Sequence, residues 1–253
     1  MRNKNYIILI LFLIFSLAHN QASSLEITPA RQEITVLPGA RAEGTYVVTN
    51  DSNQAEYVSA SIRDWVVTEY NRGIKAEQWL NISTDGFYLK PEESKPVDFK
   101  VEVPEDARGA LFAMITMQSE PSGDEVLSVA ISVPVFIIVE GTQNYDGKLD
   151  NLNADKHNDT LQFSVDVHNN GNVHLRPEGR YILSSNNKNI EIDMIEGRPV
   201  YPGAHRTSIG RISASEVPPG EYELKAKVDT GEIELSHKTK FKIGKNGNVK
   251  VIN

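Results

Sequence analysis

The 253-residue chain carries 34 acidic against 26 basic residues, a net charge of −8, with 40% hydrophobic residues and no cysteine. The acidic balance argues against nucleic acid or an anionic membrane surface as a partner, since both reward basic surface. The lack of cysteine excludes a disulfide scaffold, thiol catalysis, thiolate metal sites and lipid attachment through an N-terminal cysteine.

Arg2 and Lys4 precede an apolar run from Tyr6 to Phe15 that continues to Ala18, with the small residues Ala22, Ser23 and Ser24 just beyond. This is the layout of a secretory signal peptide over residues 1–24, and it is short for a permanent anchor, which needs about 20 apolar residues. Cleavage after Ala18 or within Ala22–Ser24 is expected, with no membrane insertion afterwards. The mature chain then holds 24 basic and 34 acidic residues, because residues 1–24 contain two basic and no acidic residues. Export without disulfides fits a periplasm first and a cell surface second.

From Leu25 onward, short runs rich in β-branched and aromatic residues alternate with turn signals. The runs Leu25–Val36, Thr45–Thr49, Tyr57–Trp65, Leu80–Ser83, Phe87–Leu89, Val97–Val103, Ala110–Gln118 and Val126–Val139 read as strands. Pro38-Gly39, Asn50-Asp51, Asp85-Gly86, Pro104 and Pro121-Ser122-Gly123 fall between them. This spacing indicates an immunoglobulin-like antiparallel β-sandwich over 25–141. The last run is organised by a strict period of two: Leu127, Val129, Ile131, Val133, Val135, Ile137 and Val139 share one face. Pro134 cannot donate to a ladder, which confines its part of the strand to a sheet edge or a bulge. The run therefore reads as a long apolar edge strand, open to pairing with another chain unless covered.

The polar stretch 141–147 marks a boundary. Beyond it, Lys148–Ala154, Leu161–His168, Val173–Leu175, Arg180–Ser184, Asn189–Ile195, His205–Ile212, Glu221–Val228 and Ile233–Lys242 predict a second immunoglobulin-like sandwich over 146–243. The glycine-rich 244–253 is expected to be a flexible tail. The overall expectation is an all-β protein of two tandem sandwiches.

No nucleophile elbow, phosphate loop, dinucleotide fingerprint or zinc-binding spacing occurs, so no enzyme chemistry, cofactor or metal is expected. His168 and His174 flank an Asn-Asn-Gly-Asn turn and read more readily as solvated strand-end histidines than as ligands. Asp146, Asp150, Asp155 and Asp159 carry only a weak calcium signal beside the ordinary reading of a solvated acidic surface. Trp65 and Trp79 read as packing residues rather than a sugar platform.

Four fragments in order carry a family resemblance. Leu25-Glu26-Ile27-Thr28 with Arg31 resembles the first strand of PapD-like periplasmic chaperones. Asn50-Asp51 with Tyr57, then Pro104-Glu105-Asp106 with Leu111-Phe112 and Pro121, are similar to later family signatures. Leu127, Val129 and Ile131 fall where the family keeps its alternating donor residues. Together they cover about 25–140. The resemblance implies donor-strand complementation, in which the chaperone lends an edge strand to an exported pilin-like subunit. It also implies an outer-membrane usher as a further partner and a self-capping dimer when idle. The subunit-binding residues it implies are Leu127, Val129, Ile131 and Val133, with Arg31 as the anchor of the subunit's terminal carboxylate. Two positions depart from it: Phe136 stands where the family has its anchoring lysine, and Glu140 where an arginine ends the strand. For Arg31 an ordinary strand-end salt bridge is the competing role. The competing function is a non-catalytic structural or adhesive envelope protein of two immunoglobulin-like modules without strand donation.

Overall fold

The computed structural model describes residues 25–120, 128–186, 188–194, 198–244 and 248–252. The expected signal peptide and Leu127 lie outside them.

Among the described residues, nine strands build the first sandwich: β1 (Leu25–Thr28), β2 (Gln32–Val36), β3 (Arg41–Asn50), β4 (Glu56–Asp64), β5 (Leu80–Ile82), β6 (Gly86–Leu89), β7 (Ser94–Glu102), β8 (Ala110–Glu120) and β9 (Ala130–Val139). One sheet has the order β1-β3-β7-β5 and the other β2-β9-β8-β4-β6. The expected first run, Leu25–Val36, is two strands in different sheets. After β1 the chain turns at Thr28-Pro29, and β2 crosses to the opposite sheet, where it pairs in parallel with β9. Alternation places one side of each strand inward. Tyr46, Val48, Val58, Leu89, Val97, Phe99, Ile115 and Met117 are buried between the sheets. Gly44 of β3 sits where the Phe99 ring closes on the backbone, leaving no room for a Cβ.

Among the described residues, the second sandwich has eight strands: β10 (Gly147–His157), β11 (Thr160–Asn169), β12 (Glu178–Ser185), β13 (Lys188–Asp193), β14 (His205–Ser213), β15 (Gly220–Asp229), β16 (Glu234–Ile243) and β17 (Val249–Ile252). Its sheets run β10-β11-β14 and β13-β12-β15-β16-β17. Phe163, Tyr181, Leu224 and Phe241 centre its core. Two expectations change here. Val173–Leu175 forms only a single bridge, Leu175 to Val200. The tail expected to be flexible instead contributes β17, which pairs along Lys240–Ile243 and covers that edge of β16. Four residues are too few for a periodic signal of their own.

A third apolar cluster joins the two sandwiches: Ala110, Phe112, Phe136, Ile138 and Val173, flanked by Val66, Tyr145 and Tyr201. Beside it, the Ala110 N–H donates to Asn172 O at 3.0 Å, and Asn172 Nδ2 donates to Thr142 O at 2.9 Å. Gly109, at φ +71°, lies so close under Asn172 that a side chain would collide with it. The sharp turn and the tight approach both call for glycine here.

Candidate functional site: the open segment of β9 and the arginine cleft

Backbone hydrogen bonding along β9 follows from parity. The Ser119 N–H donates to Val129 O at 2.8 Å and the Val139 N–H to Gly109 O at 2.8 Å, so odd-numbered residues aim their peptide groups at β8. The Glu140 N–H donates to Val36 O at 2.9 Å, so even-numbered residues aim theirs the other way. On that side β2 pairs only with Val135–Val139. Among the described residues no strand pairs with Ala130–Pro134 on the same side. The expected long edge strand is thus corrected: its second half is interior to the sheet, flanked by β2 and β8, and only the first half is an edge. Pro134 stands at the change. Its missing N–H would face the open side, and its carbonyl accepts from Tyr46 Oη at 2.8 Å. The outward groups of Ala130 and Ser132 have no strand beside them among the described residues.

The side chains are less exposed than the sequence pattern suggests. Val129 and Ile131 are half-buried, and Val133, at 3% exposure, belongs to the first sandwich's own core. The odd face of β9 is the face that packs across to β3 and β7, so the aliphatic row sinks inward as it proceeds. Phe136 and Ile138, on the even face, are covered by the second sandwich.

At the inner end of the open segment lies a cleft of about 590 Å³ between the two sandwiches. Pro29, Ala30, Arg31, Trp65, Pro134 and Phe136 line it from the first; Arg176, Arg198, Pro199, Tyr201 and Arg206 line it from the second. Aromatic rings form its floor: Trp65 lies 5.5 Å from Phe136 and 5.3 Å from Tyr201, centroid to centroid. Phe136 supports a cation, since the Arg176 guanidinium lies 5.2 Å from its ring centroid. The Arg176 guanidinium also donates to Glu33 Oε2 at 2.9 Å, and His174 Nε2 lies 3.4 Å from the same oxygen. The hydrogen bond from His174, then that from Arg176, hold the Glu33 carboxyl down at about 2 against the opposing effect of burial. Burial raises the Tyr201 hydroxyl above its ordinary value, against the pull of Arg176 and Arg206.

Arg31 lies on this cleft and has no carboxylate within ion-pair distance among the described residues; the strand-end salt bridge weighed for it does not form there. The cations found beside it, Arg176, Arg198 and Arg206, are not on the last strand at all. Arg176 and Arg198 each precede a proline, which favours extended backbone, and the Leu175–Val200 bridge brings their segments together. Two Arg-Pro pairs 22 residues apart were the available signal. His168 and His174 do not meet: His168 stacks on His205 at 5.0 Å, while His174 faces Glu33 and Phe136. Asp150 is held by Lys148 and Asn151, and no group of three His, Asp or Glu side chains among the described residues is arranged to hold a metal.

In sequence the chain matches no family model and no curated protein. In structure it is similar to the E. coli chaperone DraB (14% identity, covering 85% of this chain and 98% of that one, TM-score 0.45). It is similar to the Salmonella enterica SafA pilin in complex with the SafB chaperone (14%, 86% and 97%, TM-score 0.45). It is also similar to the class 5 fimbriae chaperone CfaA (15%, 85% and 98%, TM-score 0.46). The chain itself folds as two β-sandwiches in tandem, with little sequence in common with these structures.

Proposed function

We propose that the chain is a periplasmic chaperone-like protein that binds exported pilin-like subunits by lending them the open segment of β9. The observation that carries this reading is the continuity of that segment with the arginine-lined cleft. A strand added beside Ala130 and Ser132 and running parallel to β9 points its C-terminus toward Pro134 and Arg31. In that direction it occupies the lane that β2 takes over at Gln32, opposite Val135. Guanidinium geometry suits the terminal carboxylate that arrives there. Backbone pairing supplies affinity without regard to sequence, and Val129 and Ile131 supply register. In the sequence, Leu127 continues the same alternation. Val133 acts from beneath, as part of the floor. An outer-membrane usher and a self-capping dimer belong to the same reading.

A structural two-module envelope protein is the second reading. It is favoured by the burial of Val133 and by β2, which leave only a short stretch of β9 open. Co-purification of a subunit from periplasmic extract separates the two. With Val129→Asp and Ile131→Asp combined, recovery is expected to fall at least about tenfold while the circular dichroism spectrum is retained. Undiminished recovery from a folded double variant contradicts strand donation.

A further inference from the structure

The cleft holds more positive charge than one carboxylate can use. Of its four arginines, Arg176 is committed to Glu33, and Arg31, Arg198 and Arg206 have no carboxylate within ion-pair distance among the described residues. Arg206 adds a second sign of an absent partner: its Nε is shielded from solvent and has no hydrogen-bond partner among the described residues. A buried donor left in that state is costly unless something supplies an acceptor. A carboxylate offers two oxygens and is best matched by one bidentate guanidinium, or by two sharing it. The arginines also come from different sides. Arg31 sits on the first sandwich, where the terminus of a strand parallel to β9 arrives, whereas Arg198 and Arg206 belong to the second sandwich. A volume of about 590 Å³ exceeds the needs of a lone carboxylate.

Building on the terminal-carboxylate reading above, we propose that the cleft takes a second anion: the side-chain carboxylate of an acidic residue at the C-terminus of the bound strand. Arg31 receives the main-chain carboxylate, and Arg198 and Arg206 receive the side chain. The site thereby selects, among strands able to pair with β9, those that end in Asp or Glu.

Trp65 provides the readout, since it lies in the cleft between Phe136 and Tyr201, whereas Trp79, the other tryptophan, is in the core at 3% exposure. Three synthetic peptides are titrated against the full chain by tryptophan fluorescence. Each has six alternating threonine and valine residues followed by glutamate as the free acid, glutamine as the free acid, or glutamine as the amide. The glutamate acid is expected to bind at least about tenfold more tightly than the glutamine acid, the gain typical of one charge-assisted pair. Arg198→Gln and Arg206→Gln are each expected to remove that gap while leaving the glutamine acid within about twofold. Arg31→Gln is expected to weaken both acids. Equal binding of the two acids, with the amide weaker, overturns the second-anion site and leaves the terminal-carboxylate reading standing. Equal binding of the glutamine acid and amide, or no binding of any peptide, overturns both. Should Arg206→Gln unfold the chain, the wild-type comparison together with Arg198→Gln still decides.

Discussion

Glu33 reaches from β2 of the first sandwich to Arg176 and His174 of the second. Its carboxylate meets Arg176 at 2.9 Å and His174, a side chain only 2% exposed, at 3.4 Å. Because the folded carboxyl is held at about 2, below its ordinary 4.5, the interaction is fully present above about 4.5 and is lost as pH falls toward about 2. The Glu33 side chain is one-third exposed, so solvent screens part of the effect. At neutral pH, Glu33→Gln is expected to lower stability by about 1 kcal/mol. The gap between variant and wild type should close progressively through the interval from about 4.5 to about 2. Chemical denaturation across that range measures it, and a gap independent of pH contradicts the ionic account. The same side chain holds Arg176 in place over Phe136, so it also shapes one wall of the cleft.

β9 is one strand with two roles, and parity separates them. Proline at Ala130 removes an N–H that faces the open side and leaves the β8 ladder intact, whereas proline at Ile131 removes one that the ladder uses. Ala130→Pro is therefore expected to keep stability within about 1 kcal/mol of wild type while lowering peptide affinity several-fold. Ile131→Pro is expected to cost at least about 1 kcal/mol more, through a lost ladder bond and disturbed packing. Melting curves and the fluorescence titration check both; equal losses from the two variants contradict the assignment of edges. The alternating aliphatics make β9 legible in the sequence, since a period of two has no other good explanation over that length. What they leave unsaid is which lanes beside the strand are filled. That depends on β2, whose five residues carry no mark of a parallel partner. The burial of Val133 was hidden for a related reason, because one apolar face looks the same whether it awaits a guest or meets its own core.

Across the whole molecule, function depends on how the two sandwiches are joined. Phe112, Phe136, Ile138 and Val173 share one apolar seam, and Asn172 docks on the Gly109-Ala110 backbone. This seam fixes where Arg176, Arg198 and Arg206 stand relative to Arg31 and the open end of β9. Tandem sandwiches could be read from strand spacing, but the cleft could not, because its arginines come from segments far apart in sequence and meet only when the seam forms. The central claim is that the outward peptide groups of Ala130 and Ser132 await a strand whose end enters that cleft. Residue-resolved amide hydrogen exchange tests it most directly. In the free protein, Ala130 and Ser132 should exchange much faster than Ile131 and Val133, and saturation with the glutamate-ended peptide should protect them at least about tenfold. Protection already present in the free chain, or bound peptide that leaves both amides exchanging as before, would contradict it.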